Sequence, residues 1–353
     1  MQNNSSKIYK AREVFEKKLP FLLMRNKIIS AIKNFFYNKN FTEVETPILQ
    51  QSPGMEVHLT AFETKFYDIT GEKPTTLYLH TSPEFAMKKI LSFGIENIFQ
   101  FTHTFRNEII SPTHYPEFTM LEWYRLHHDY TKLMCDCEEI LKSALSSIGK
   151  NFFTYNGKIC SPFNGIKKLT IKEAFKKFCN FDIFETIDSP LSPSKELLAK
   201  KAIALNINVS KIDTWDDIFE KLMFEYIEPN LGNEKPTILY EYPIHMAALS
   251  KESDTIPNIA ERFELYICGV EVANAFTELT DAKIQRQRFE NDMKIKKELY
   301  GITYPIDESF IEAIEHMPPA TGIALGIDRL IMLATGAKDI TQVLWSEIPN
   351  LQS

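Results

Sequence analysis

Apolar residues recur at helical spacing over residues 25–38, at Ile28, Ile29, Ile32, Phe35 and Phe36. A short strand is expected over 41–45, and Pro47 ends it. A second strand is expected over 77–81. Ser82-Pro83-Glu84 then reads as a helix start, with a serine cap and proline at the first position. Residues 98–108 alternate, with Phe99, Phe101, His103 and Phe105 on one face and Gln100, Thr102, Thr104, Arg106 and Glu108 on the other. After a loop with Pro112 and Pro116, residues 118–125 return as a strand in which Phe118, Met120, Glu122 and Tyr124 share a face. Residues 262–267 alternate with Phe263, Leu265 and Ile267 inward. Cys268-Gly269 makes the turn, and 270–276 complete a hairpin. Residues 322–326 read as a glycine-flanked strand, and 327–335 as a helix that stops at Gly336.

Residues 1–21 read as a polar N-terminal extension, and 22–353 as one catalytic domain. Within it, residues 188–228 are expected to be a helical insertion on the surface. Antiparallel strands without a regular βαβ alternation point to an α+β fold. The 353 residues are 44% hydrophobic and 25% charged, enough to fill a substantial core. A net charge of −7 makes the chain a poor general binder of nucleic acid. The five cysteines lack paired C-x-x-C spacing, which fits free thiols in a reducing cytoplasm. The N-terminus lacks the apolar core of a signal peptide, and no apolar run is long enough to span a bilayer.

Two arginines stand where a nucleotide phosphate can be held. Arg106 lies at the end of an alternating strand, on the same side as Glu108, and an antiparallel neighbour would bring Phe118, Glu122 and Tyr124 to that side. Arg329 lies in the first turn of its helix, where backbone N–H groups favour an anion. An ordinary ion pair between Asp328 and Arg329 is the alternative there. In the hairpin, Tyr266 should face Glu271, with Glu264 as a diagonal neighbour on the same face. Two carboxylates so placed suit a shared Mg²⁺; the alternative is that both sit in solvent. Glu278 lies beyond the hairpin and can hold a substrate ammonium instead.

Four separated segments together resemble class II aminoacyl-tRNA synthetases of the lysine subgroup. They are residues 25–47, Phe105-Arg-Asn-Glu108 with Pro116-Glu-Phe-Thr-Met-Leu-Glu-Trp-Tyr-Arg125, Glu271-Val-Ala-Asn-Ala-Phe-Thr-Glu-Leu-Thr-Asp281, and Gly326-Ile-Asp-Arg329. Thr81-Ser-Pro-Glu84, Glu122-Trp-Tyr-Arg125 and Ala324 are especially similar to the short paralogues that ligate lysine or β-lysine to elongation factor P. Those paralogues lack the anticodon-binding domain of the full synthetases, and no such domain is expected here. The resemblance implies an antiparallel sheet of six to seven strands flanked by helices, a homodimer, and ATP and Mg²⁺ as cofactors. It makes elongation factor P, rather than tRNA, the expected acceptor.

By the same resemblance, Arg106 would bridge the ATP α-phosphate and the substrate carboxylate, and Glu108 would touch the adenine end. Phe118 and Arg329 would enclose the adenine, while His114, Glu271 and Gly326 complete the nucleotide site. Glu264 and Glu271 would hold the metal. Glu278 and Tyr124, with Glu122, would bind the side-chain ammonium. Ser82 and Glu84 would meet the other amino group, Asn274 would orient the carboxylate, and Ala324 would line the pocket floor. Tyr115, Pro112, Thr113 and Ala275 depart from the family pattern. A truncated lysyl-tRNA synthetase and a non-catalytic, synthetase-like regulatory subunit are the alternatives.

Overall fold

The computed structural model describes residues 2–189 and 192–348. Met1, residues 190–191 of the expected insertion and residues 349–353 of the expected catalytic domain lie outside them. The frame is an eight-stranded sheet, numbered here in chain order: β1 Thr42–Glu43, β2 Asn97–Phe105, β3 Glu117–Leu126, β4 Lys167–Thr170, β5 Thr237–Pro243, β6 Ile259–Ile267, β7 Val270–Thr277 and β8 Ala320–Gly326. In space the order is β1-β2-β3-β8-β7-β6-β5-β4. The inner six strands are mutually antiparallel, as expected, while edge strands β1 and β4 add parallel pairings to β2 and β5. The sheet is therefore mixed and larger than the six to seven strands anticipated: β1 falls within the strand expected over 41–45, but β4 and β5 are not among the expected strands.

Alternation divides the sheet into a dry face and a site face. Phe99, Leu121, Trp123, Phe263, Leu265, Ala275, Ile323 and Leu325 point to the dry face. They meet α1 (Gln2–Asn38), α3 (Tyr130–Ser147) and α9 (Ile327–Thr335) in the main core. Helix α9 falls where the glycines predict, and Gly336 ends it in the left-handed region with φ 77°, whereas strand β8 begins at Ala320, two residues before the expected start at Gly322.

The expected boundary at residue 21 lies inside α1, which runs unbroken from Gln2 and accommodates Pro20. Helix α2 (Glu84–Leu91) begins one residue later than expected, with Pro83 in the capping position. Ser82 still serves the helix start, because its hydroxyl accepts the Glu84 N–H at 3.0 Å. The strand expected over 98–108 ends at Phe105, so Arg106 and Glu108 stand on the loop that follows.

Residues 188–228 include α5 (Lys195–Ala204) and α6 (Trp215–Leu222), joined upstream by α4 (Ile171–Phe178). These helices enclose a second core around Phe175, Leu198, Trp215 and Phe219, which closes on Leu239, Tyr242 and Tyr266 of β5 and β6. The segment is thus bonded to the sheet edge by buried apolar area. Helices α7 (Ala282–Tyr300) and α8 (Glu308–His316) pack on α2 through Phe85, Phe289 and Phe310. All five cysteines are unpaired, four buried and Cys135 exposed. Among the described residues no helix is long and apolar enough to cross a membrane.

Candidate active site

Strand register assembles the site face in rows. Gln100, Glu122, Ala324, Asn274 and Glu264 stand opposite one another across β2, β3, β8, β7 and β6. The adjoining row holds Tyr124, Gly322, Phe276 and Arg262. Glu271 pairs with Tyr266 as expected, but the ladder shifts there, leaving Val272 as an extra residue on β7. That bulge lets Glu271 and Asn274 share a face despite their odd separation.

A cavity of about 330 Å³ lies over these rows. Ser82, Glu84, Arg106, Glu108, His114, Phe118, Glu122, Tyr124, Glu271, Asn274, Ala324, Gly326 and Arg329 line it, while Glu264 and Glu278 stand behind the lining.

At one end the two arginines converge. The Arg106 guanidinium lies 5.4 Å above the Phe118 ring, and its Nε donates to the Thr81 carbonyl at 3.4 Å. Arg329 is held from three sides: it donates to the Thr113 carbonyl at 3.1 Å, the Glu271 carbonyl at 2.8 Å and His114 Nε2 at 2.6 Å. Burial, with the charges of Arg329 and Arg106, lowers His114 to about 4, so its ring is neutral and accepts. Asp328 does not pair with Arg329. It is buried, binds Arg25 of α1 and accepts the Thr119 N–H at 2.7 Å. Arg329, held by Thr113, Glu271 and His114 instead, lines the cavity. Of the departing residues, Tyr115 is buried and its hydroxyl accepts the Ile348 N–H at 2.6 Å, which ties the loop to the C-terminal segment.

The hairpin end is rich in carboxylates. Glu264 accepts hydrogen bonds from the Tyr242 hydroxyl at 2.6 Å, the Tyr266 hydroxyl at 2.7 Å and Arg262 at 2.7 Å. Arg262, which sequence reasoning passed over, also donates to Asn274 Oδ1 at 3.1 Å. It thereby fixes two of the expected site residues. Burial and the charge of Glu264 raise Glu271, against the pull of Arg329. Burial and the charges of Glu264 and Glu271 raise Glu228 to about 7. The charge of Glu264 thus opposes ionisation of both Glu271 and Glu228. Among the described residues no group of three or more His, Cys, Asp or Glu is arranged to hold a metal. An oxygen-only pair nevertheless fits Mg²⁺, which commonly takes one or two carboxylates and completes its shell with water and substrate phosphate.

The other end is a buried polar pocket. Glu122, 1% exposed, accepts from the Ser82 hydroxyl at 2.6 Å and the Tyr124 hydroxyl at 2.7 Å. Burial and the charge of Glu84 raise it to about 8. Lys88, also 1% exposed, binds Glu84 at 2.5 Å, forms an ion pair with Glu278 and stands 5.1 Å above the Phe276 ring. Glu278 is likewise raised to about 8, by burial first, although Lys88 opposes the shift. Its Oε1 is enclosed without a hydrogen-bond partner. A methyl group on Gly322 would collide with that atom and with the Tyr124 ring, so only glycine lets both pack against the strand here. A sequence model described as tRNA synthetases class II (D, K and N) matches residues 9–345 of the chain.

Proposed function

The chain belongs to the class II tRNA synthetases of the D, K and N group, a family of ATP-dependent aminoacyl ligases. From that membership we propose that it activates lysine or β-lysine as an adenylate and transfers it to a lysine side chain of elongation factor P. The observation that carries the substrate reading is the cluster of three carboxyls, Glu84, Glu122 and Glu278, gathered at one end of the cavity around a single buried lysine, Lys88. One lysine cannot balance three buried carboxylates, and a substrate ammonium would supply a further cation. Thr81-Ser-Pro-Glu84, Ala324 and the net charge of −7 support a protein acceptor over tRNA. A homodimer through α1 completes the reading, supported by the exposed Val14, Phe15 and Leu23 on that helix.

In the first step the substrate carboxylate attacks the ATP α-phosphorus in line and pyrophosphate leaves. Arg106 bridges carboxylate and α-phosphate, Arg329 holds the far phosphates over the adenine, and Phe118 supplies a stacking surface. Catalysis is largely positioning and charge stabilisation. Glu264 and Glu271 would hold Mg²⁺, which when bound neutralises polyphosphate charge. Glu122, Tyr124 and Glu278 hold the side-chain ammonium, and Asn274, fixed by Arg262, orients the carboxylate. In the second step the acceptor amine attacks the adenylate carbonyl, AMP leaves and an amide forms. No covalent enzyme intermediate is required.

Pyrophosphate exchange dependent on either lysine isomer, followed by mass spectrometry of elongation factor P, tests the proposal. The expected product carries one added lysyl group. Efficient charging of bulk tRNA would favour the truncated synthetase, and absence of exchange would favour the regulatory subunit. The Ala324 methyl stands in the row between Glu122 and Asn274. It is expected to favour β-lysine, and Ala324→Gly should shift the kcat/KM ratio toward α-lysine by about tenfold to two hundredfold. An unchanged ratio would put the discriminating contact elsewhere.

A further inference from the structure

Helix α2 carries Lys88 four residues after Glu84, a spacing that on an exposed helix makes a weak ion pair. Here the pair is enclosed, because Lys88 and Glu278 are both buried. The ammonium binds Glu84 Oε1 at 2.5 Å, pairs with Glu278 and stands 5.1 Å above the Phe276 ring. One lysine thus joins carboxylates from two separate elements, the first turn of α2 and the residue that follows β7. Glu84 and Glu122 line the cavity, whereas Lys88 is not among the lining residues. It meets the carboxyls from behind the wall.

The groups around this lysine are mostly acidic. They are Glu84 on α2, Glu122 and Tyr124 on β3 and Glu278 after β7, with Glu56 acting on Glu84 from the loop before them. Strand β8 meets them with Gly322 alone. A like charge disfavours ionisation of a carboxyl, and an opposite charge favours it. Burial and neighbouring carboxyls hold Glu122 and Glu278 toward the protonated form, and Lys88 opposes this at both. At Glu278 its pull exceeds the push of Glu84.

We propose that Lys88 is a positioning residue for ammonium recognition: held between Glu84 and Glu278 behind the cavity wall, it supplies the standing positive charge that lets the pocket carboxyls ionise when a substrate ammonium enters. This rests on the reading of the cavity as an amino-acid activating site. A pocket carboxyl sheds its proton to pair with ammonium, so binding weakens about tenfold for each pH unit by which the medium lies below its transition. Without Lys88 the transition moves up, and binding at neutral pH weakens further. A buried cation also repels an incoming ammonium, and the sign of the change in KM separates the two effects.

The test compares wild type with Lys88→Met, which keeps an unbranched side chain without the charge, and with Lys88→Arg, which keeps the charge. Pyrophosphate exchange with α-lysine and β-lysine gives KM and kcat across the pH range. Titration of the substrate itself cancels in the ratio of variant to wild-type KM. From a Glu278 transition at about 8, a rise of about one pH unit makes that ratio about tenfold at pH 6.5 and about twofold at pH 9. The kcat of Lys88→Met should stay within about threefold of wild type, and Lys88→Arg should give a ratio independent of pH. A Lys88→Met ratio that is the same at every pH overturns the proposal and makes the lysine structural. A ratio below one overturns it in favour of repulsion, and an Arg variant that follows Met excludes a charge role. If melting curves show that Lys88→Met does not fold, Lys88→Met with Glu84→Gln removes one charge of each sign. The same fall of the ratio with pH is expected there, because the lysine outweighs Glu84 at Glu278. A wild type without exchange for either isomer refutes the activating-site reading itself, a result distinct from a flat ratio in the variants.

Discussion

Glu122 and Glu278 share one small pocket, and burial raises both to about 8 against an ordinary 4.5. Around them stand Glu84, Lys88, Ser82 and Tyr124. A carboxyl raised on folding keeps its proton where the unfolded chain has released it. Its contribution to stability is complete below pH 4.5 and is lost as pH rises through about 8. Substrate ammonium reverses the preference by favouring the ionised carboxylates. Binding of lysine or β-lysine at pH 7 is therefore expected to release protons. Calorimetry at pH 7 should give binding enthalpies that differ between phosphate and Tris in proportion to their ionisation enthalpies, and the difference should shrink above pH 8. Equal enthalpies in the two buffers at pH 7 would mean that both carboxyls are already ionised.

Helices α1 and α9 and strand β3 are joined by one buried polar knot. Arg25 binds Asp328, donates to the Val343 carbonyl at 3.2 Å and donates to the Thr119 hydroxyl at 2.8 Å. Breaking a buried pair by removing one partner typically costs about 3–5 kcal/mol. Asp328→Leu should lower the urea midpoint and raise the KM for ATP, because α9 carries Arg329. The double variant Arg25→Met, Asp328→Leu should recover much of the stability. If the single variant unfolds at the wild-type midpoint, the knot is not what fixes α9. Sequence pattern made some elements legible and others not, for physical reasons. Helix α9 and the end of strand β8 were legible because Gly326 and Gly336 mark them. The bulge at Val272 was hidden because Val272 and Ala273 are both apolar and interrupt the alternation. Lys88 was missed because a lysine four residues after a glutamate reads as an exposed helical pair, whereas here it is enclosed. Arg262 was missed because its value lies in what it holds in place.

At the scale of the whole molecule, Val14, Phe15 and Leu23 of α1 are exposed at 62%, 41% and 52%, spread over about half the helix circumference. Scattered apolar side chains are ordinary, but three on one helix suit a twofold contact. Light scattering should therefore report about twice the subunit mass of 40.9 kDa, and Phe15→Glu with Leu23→Glu should halve it. A monomer at micromolar concentration would remove α1 from consideration as an interface. The sheet order has a consequence for how the chain is made. Strand β8 lies between β3 and β7, yet it is the last strand synthesised. Until Gly326 emerges, β3 and β7 each present an unpaired edge, the kind of surface that recruits foreign strands. At about 5–20 residues per second, β3 waits on the order of ten seconds or more for its neighbour. The two halves of the sheet cannot join before translation is nearly complete, so holding the nascent chain apart from others is a built-in demand of this topology.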